Sequence, residues 1–116
     1  MPSTIYSVTV DCTDPHRLAR FWSELLGWPR TFEEDDEVMI EKEGAGPGLL
    51  FGKASGGKVG KNRWHLDLTP DDQAAEVARA EALGAVEIDI GQGDVSWVVM
   101  ADPEGNEFCI LNPLED

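Results

Sequence analysis

The same order of predicted secondary-structure elements occurs twice along the chain, and this duplication limits the possible folds more than any other feature. A strand-like segment, an amphipathic helix and three strand-like segments occupy residues 4–53, and the same order returns over residues 62–112. Leu26-Gly27 ends the first helix and Leu83-Gly84 ends the second. Since a sheet and a helix must each bury one face, two such units are expected to pair.

We therefore predict one domain over residues 1–116, made of two βαβββ modules. The segment between the modules, residues 54–61, is rich in Gly, Ser and Lys, a composition typical of a flexible linker. At 116 residues the chain is long enough to form a hydrophobic core.

In the first module, the segment from Ile5 to Cys12 alternates apolar and polar side chains, as a strand with one buried face does. The predicted core face carries Tyr6, Val8, Val10 and Cys12, and the polar face carries Ser7, Thr9 and Asp11. A helix over residues 14–26 follows, with Asp14 at its N-cap and Gly27 at its end.

The second module opens with a strand from Trp64 to Leu68, whose alternation places Trp64 on the helix-facing side and His65 and Asp67 on the other. We predict Thr69 as the N-cap of a helix that runs to Leu83. The three strands that follow are predicted at Val86–Ile90, Val95–Ala101 and Glu107–Leu111.

The segments TDPHRLARFWSELLGW, RWHLDL and DPEGNEFCIL occur in this order around the repeat. The whole arrangement resembles the vicinal oxygen chelate superfamily, that is, the glyoxalase/bleomycin-resistance/dioxygenase-like proteins. The resemblance implies an α+β fold in which tandem βαβββ modules form a curved, barrel-like mixed sheet with the helices outside. It also implies a cleft for a small molecule.

Enzymes of this superfamily hold one divalent metal through residues on the first strand, on the strand that opens the second half, and on the last strand. The resemblance places Ser7, His65 and Cys109 at those positions, and only His65 is a usual ligand there. Because a catalytic metal site needs about three protein ligands, we expect no metal cofactor. The alternative is a zinc site of His65 and Cys109 completed by Asp11 or Asp67.

Strand alternation predicts that the side chains of five residues share one cavity. They are Asp11, His65, Asp67, Glu107 and Cys109. We count Ser7, Thr9 and Trp97 as further ligand-binding candidates, although the run around Trp97 is apolar on both faces and alternation does not place its indole. His65 could act as a general base beside Asp67, bind a ligand by hydrogen bonds, or be a histidine of the interior.

The chain carries 23 acidic residues against 9 basic ones, a formal charge of −14. This charge repels nucleic acid and anionic membranes and attracts cations. The N-terminus has no signal-peptide pattern and no segment is long and apolar enough to span a membrane, so we expect a cytoplasmic protein with reduced cysteines.

Two functions are favoured at this point, ahead of a third, a subunit or regulatory partner whose cleft is vestigial. The first is a binding protein that captures a cationic or aromatic small molecule in an acidic cleft without a complete metal site. The alternative is a lyase, isomerase or dioxygenase with an atypical metal site or with His65 as general base. The resemblance also implies a homodimer, in which the modules pair within one chain or are exchanged between two chains.

Overall fold

The computed structural model describes residues 5–54, 60, 62 and 64–113. The chain divides into two compact units, Met1–Gly57 and Lys58–Asp116. Each unit contains one strand, one helix and three further strands, in that order. The predicted α+β class and the tandem βαβββ order are therefore confirmed, whereas most of the predicted linker at residues 54–61 lies outside the described residues.

The two units have the same sheet topology. The first contains β1 (Ser7–Cys12), α1 (Pro15–Leu26), β2 (Arg30–Glu34), β3 (Glu37–Ile40) and β4 (Gly48–Lys53). The second contains β5 (Leu66–Leu68), α2 (Gln73–Leu83), β6 (Val86–Glu87), β7 (Val98–Ala101) and β8 (Glu107–Ile110). The sheet orders are β1-β4-β3-β2 and β5-β8-β7-β6. In each sheet the first strand is parallel to the last strand of the unit, and the other pairs are antiparallel.

Helix α1 begins and ends where its sequence predicts. The Asp14 side chain accepts a hydrogen bond from the backbone N–H of Arg17 at 3.1 Å, which satisfies one of the N–H groups without a helical partner. Gly27 ends the helix in the left-handed conformation, with φ of 71°. The helix packs against β3 and β4 through its buried face, which is formed by Leu18, Ala19, Phe21, Trp22 and Leu25.

Helix α2 begins three residues later than predicted. Asp72, not Thr69, is the N-cap, and its side chain accepts a hydrogen bond from the N–H of Ala75 at 3.0 Å. The prediction of Thr69 was wrong: Thr69-Pro70 resembles the Asp14-Pro15 start of α1, but Asp72 is an equally good capping residue, and local sequence does not distinguish the two. On the surface of α2, a hydrogen bond to Glu76 raises the pKa of Arg79.

Two strand-face predictions were wrong. Tyr6 is 78% exposed and Trp64 is 87% exposed, although both were assigned to a core face. Tyr6 precedes β1 and Trp64 precedes β5. The predicted strands therefore began too early, and the alternation of faces does not apply to these two residues. Val8, within β1, is also partly exposed, because β1 lies at the edge of its sheet.

The strands around the last loop are shorter than predicted. β6 ends at Glu87 and β7 begins only at Val98. Between them the chain turns: Asp89 accepts a hydrogen bond from the N–H of Gly91, and Gln92 accepts one from the N–H of Ile90, both at 2.8 Å. These side-chain oxygens satisfy backbone N–H groups that would be paired with a neighbouring strand if the β-sheet extended further.

Within the described part of the chain, no helix has the length and apolar composition needed to cross a membrane.

Candidate functional site

One cavity of the second unit lies on one face of its sheet. Asp67 on β5 is in register with Cys109 on β8, and Cys109 is in register with Val99 on β7. Residues paired in register direct their side chains to the same face, so these three form a row across three strands. Glu107, two residues before Cys109, lies on that face as well.

This row forms part of the wall of a cavity of about 440 Å³. Cavities that hold small organic molecules range from about 300 to 1,000 Å³. All of the described lining residues belong to the second unit: His65, Asp67, Ile90, Gln92, Trp97, Val99, Glu107, Cys109 and Leu111. The structure thus brings together His65, Asp67, Glu107 and Cys109, as the alternation predicts, while their roles remain predictions.

His65 and Asp67 lie at the accessible side of the cavity. The Nε2 atom of His65 is 3.2 Å from the Oδ1 atom of Asp67, and the two side chains are 45% and 52% exposed. Cys109, by contrast, is 7% exposed. One nitrogen, oxygen or sulfur atom from each of these three residues lies within 4.8 Å of the others.

Glu107 adds a second carboxylate, and it is 7% exposed. Its Oε1 accepts a hydrogen bond from the backbone N–H of Asn62 at 3.2 Å, and its backbone carbonyl accepts one from Nδ2 of Asn62 at 2.9 Å. These bonds between the start of the second unit and β8 hold the carboxylate in the wall. The contribution of Asn62 could not be read from the sequence, because it depends on contacts between residues 45 positions apart.

The indole of Trp97 lines the same cavity and is 41% exposed. Trp97 precedes β7, and the carbonyl oxygen of its neighbour Ser96 accepts a hydrogen bond from Nε2 of Gln73 on α2 at 2.9 Å. This bond fixes the backbone next to the indole. Ile90, Gln92, Val99 and Leu111 also line the cavity without having been singled out from the sequence. Ile90 was predicted to end a strand, but it lies with Gln92 in the loop between β6 and β7.

The remaining candidates lie on β1 of the first unit. Ser7, Thr9 and Asp11 alternate with Val8 and Val10, as predicted, and Ser7 is half-buried while the other two are exposed. Whether Asp11 shares a cavity with the residues of the second unit stays a prediction, as do the binding roles of Ser7 and Thr9.

A family model described as a glyoxalase-like domain matches residues 7–111, which is most of the sequence. The chain belongs to the glyoxalase-like domain family. The match spans both βαβββ modules of this glyoxalase-like protein, in agreement with the resemblance inferred from its sequence. No curated protein sequence matches the chain.

Solved structures share the glyoxalase-like fold at low sequence identity. An enzyme of the glyoxalase/bleomycin resistance protein/dioxygenase family from Burkholderia phytofirmans PsJN is 19% identical with a TM-score of 0.73, covering 97% of this chain and 100% of its own. A glyoxalase-related enzyme from Fulvimarina pelagi is 18% identical with a TM-score of 0.71, covering 96% and 88%. A mutant of the fosfomycin resistance protein FosX from Listeria monocytogenes, complexed with Mn(II) and 1S,2S-dihydroxypropylphosphonic acid, is 15% identical with a TM-score of 0.72, covering 98% and 93%.

The donor set of the glyoxalase-like protein does not match a site for a hard metal ion. Mn²⁺ and Mg²⁺ prefer oxygen ligands, whereas the second unit offers one imidazole, one carboxylate and one thiol. This combination suits Zn²⁺. The prediction of no metal cofactor rested on Ser7, His65 and Cys109 as the three ligand positions. The structure places Asp67 beside two of them, His65 and Cys109.

Proposed function

We propose that this glyoxalase-like protein binds a small organic molecule with an apolar or aromatic body and a positive charge. The observation that carries the proposal is that the indole of Trp97 and the carboxylates of Asp67 and Glu107 line one cavity. An aromatic face attracts cations through its quadrupole, and nearby carboxylates add to that attraction.

The rest of the cavity supports an apolar body for the ligand. Ile90, Val99 and Leu111 line it, and the described lining residues include no Lys or Arg that would favour an anion. Each apolar contact removes surface from water, which favours binding at about 25 cal/mol per Å². The net charge of −14 raises the concentration of cations near the protein.

Isothermal titration calorimetry with three probes of similar size tests the proposal. The probes are 1-methylquinolinium, which is a cation, neutral 1-methylnaphthalene, and the 1-naphthoate anion. We expect the cation to bind most tightly and the anion least tightly, and we expect the preference for the cation to weaken as salt is added. Equal affinity for the cation and the neutral probe would contradict a role for charge.

Two matched variants locate the binding site. Trp97→Leu should weaken binding of 1-methylquinolinium by about fivefold or more, because a stacked or cation–π contact is worth about 1 kcal/mol or more. Trp64→Leu removes an indole that is 87% exposed and is not among the residues lining the cavity, so it should leave the affinity unchanged. An equal effect of both substitutions would place the probe elsewhere.

A second candidate function, catalysis, is favoured by the contact between His65 and Asp67. A carboxylate 3.2 Å from Nε2 can orient an imidazole for proton transfer, as a lyase, isomerase or dioxygenase with a His65 base would require. Mass spectrometry of a bound ligand before and after incubation separates the two candidates. Binding alone returns the ligand unchanged, whereas catalysis gives a product that is lost in His65→Ala.

A further inference from the structure

We propose that Gln92 is a specificity-determining residue of the cavity, and that the bound cation carries an uncharged hydrogen-bond acceptor, a carbonyl or ether oxygen, which accepts from Nε2 of Gln92. This role rests on the proposed function and adds one chemical group to the ligand. Three features support it: the position of Gln92 in an anchored loop, the single orientation of its amide, and the charges of the other polar groups in the cavity.

The loop that carries Gln92 is anchored to the wall of the cavity. The backbone N–H of Ile88 donates to the carbonyl oxygen of Val99 at 3.0 Å, and Val99 lines the cavity on β7. Gly91 and Gly93, on either side of Gln92, have φ of 86° and 72°, a backbone conformation that favours glycine. The chain therefore turns sharply at this point, and the half-buried side chain of Gln92 lines the cavity.

The fold itself does not require a long loop at this place. In the first unit β2 and β3 are joined by residues 35–36, whereas in the second unit β6 and β7, which have the same places in their sheet, are joined by residues 88–97. Three residues of this longer loop line the cavity: Ile90, Gln92 and Trp97. The additional chain therefore contributes to the cavity wall and not to the sheet.

One hydrogen bond determines the orientation of the Gln92 amide. Its Oε1 accepts from the backbone N–H of Ile90 at 2.8 Å. The nitrogen of an amide cannot accept a hydrogen bond, so the amide cannot be reversed without losing this contact. Nε2 keeps two N–H donors, and no residue in the described part of the chain accepts from them. The donors are thus oriented before a ligand arrives, which lowers the entropic cost of binding.

The other polar groups of the cavity favour an uncharged acceptor on the ligand. The carboxylates of Asp67 and Glu107 repel an anionic oxygen, whereas a carbonyl or ether oxygen has no net charge. An apolar ligand surface over Gln92 would remove its N–H groups from water without giving them a partner, which weakens binding. A cation with an aromatic body and a neutral oxygen opposite Gln92 is compatible with all of these groups.

Calorimetry with matched pairs of cations tests the role of Gln92. Each pair consists of an acetyl-1-methylquinolinium and its isopropyl counterpart, which is similar in shape and lacks the acceptor; the 3-, 6- and 7-substituted isomers sample three directions in the cavity. In at least one pair the wild-type protein should bind the acetyl member about five- to tenfold more tightly. Equal affinities within every pair would overturn the role of Gln92 and leave the proposed function intact. Absence of binding by all of the probes would contradict the proposed function, and this role with it.

Substitutions of Gln92 separate recognition of the ligand from support of the loop. The ratio of the two affinities within a pair cancels every effect that is common to both probes. Gln92→Leu removes the donor, and Gln92→Glu replaces it with an oxygen while keeping the acceptor for Ile90, so both should lower the ratio by about five- to tenfold. Asp89→Ala breaks the loop's bond to Gly91 at a residue outside the set that lines the cavity, and it should leave the ratio unchanged. A wild-type ratio in Gln92→Glu would contradict the hydrogen bond.

Nuclear magnetic resonance of the side-chain amides of the full, ¹⁵N-labelled chain observes the same donor without substitution. The chain has two glutamines, and Nε2 of Gln73 already donates to the carbonyl oxygens of Ser96 and Ile110, so Gln73 is an internal control. The preferred acetyl probe should shift a side-chain N–H resonance of Gln92 downfield, whereas its isopropyl counterpart should not. Gln92→Leu assigns the signals by their loss. Identical shifts of Gln92 with both probes would overturn the proposal.

Discussion

Asp102 and Asn106 are hydrogen-bonded to each other through both backbone and side chains. The Asp102 N–H donates to the carbonyl oxygen of Asn106 at 2.9 Å, and its carboxylate accepts from the backbone N–H and Nδ2 of Asn106 at 3.0 to 3.1 Å. Asp102 is buried and also accepts from the N–H of Glu104. This network closes the turn between β7 and β8, the two strands that place Val99 and Cys109 in the cavity wall.

We predict that Asp102→Ala lowers the free energy of unfolding by about 2–3 kcal/mol, because the partly buried N–H groups of Glu104 and Asn106 lose a charged acceptor. Urea denaturation followed by circular dichroism measures this change. Asp89→Ala is the control, since Asp89 is exposed and accepts one hydrogen bond, from Gly91; its effect should be below about 1 kcal/mol. Equal effects of the two substitutions would show that the network does not hold the turn.

The N-cap of α2 gives a second prediction. Asp72→Ala should lower the free energy of unfolding by about 1 kcal/mol, the usual cost of removing a capping side chain. Thr69→Ala should change it by less than about 0.5 kcal/mol, because the Thr69 hydroxyl does not cap the helix. Thermal unfolding of both variants checks the assignment. A larger loss of unfolding free energy in Thr69→Ala than in Asp72→Ala would instead support Thr69 as the N-cap, as predicted from the sequence.

Substitution of Gly27, with Gly52 of β4 as the control position, tests the backbone conformation at the end of α1. Gly27 has φ of 71°, which costs a residue with a Cβ about 1 kcal/mol, so Gly27→Ala should destabilise the protein by that amount. Gly52 lies in β4 without a positive φ and has open space around its Cα, so Gly52→Ala should be neutral or slightly stabilising. Chemical denaturation of the pair measures the difference; no difference would contradict the left-handed end.

The two thiols should differ in reactivity. Cys109 lines the cavity, whereas the Cys12 thiol donates to the carbonyl oxygen of Gly52 at 3.6 Å. We expect iodoacetamide to alkylate Cys109 in Cys12→Ser faster than Cys12 in Cys109→Ser, and Zn²⁺ to slow only the first reaction. Mass spectrometry follows both rates. Identical rates that Zn²⁺ does not change would count against a Cys109 thiol that is open to the cavity and against the alternative of a zinc site at His65 and Cys109.

A homodimer remains a prediction, and the first unit suggests where its contact lies. Val8 on the edge strand β1 is partly exposed, and an apolar edge strand favours association. Sedimentation velocity at micromolar concentration should give twice the chain mass of 12.7 kDa. Val8→Lys should shift the protein toward monomer, whereas Thr9→Lys, on the opposite face, is the matched control. A monomer in the wild type would contradict the prediction.

The sequence by itself determined the order of the elements and much of their extent. Period-2 and helical spacing depend on neighbouring residues, and so do the cap at Asp14 and the end at Gly27, which is why local patterns predicted them. Alternation on β8 likewise predicted that Glu107 and Cys109 share a face. The family followed from the repeat and its three motifs, since these are also features of order along the chain.

Only the tertiary structure decided which distant residues meet. The parallel pairing of β5 with β8 places Asp67 beside Cys109, and a shift of one residue would have turned Asp67 away from the cavity. The same holds for Trp97, whose position depends on a loop and on a hydrogen bond from Gln73 to Ser96. Register, loop path and burial depend on contacts between segments far apart in sequence, and local periodicity carries no information about them.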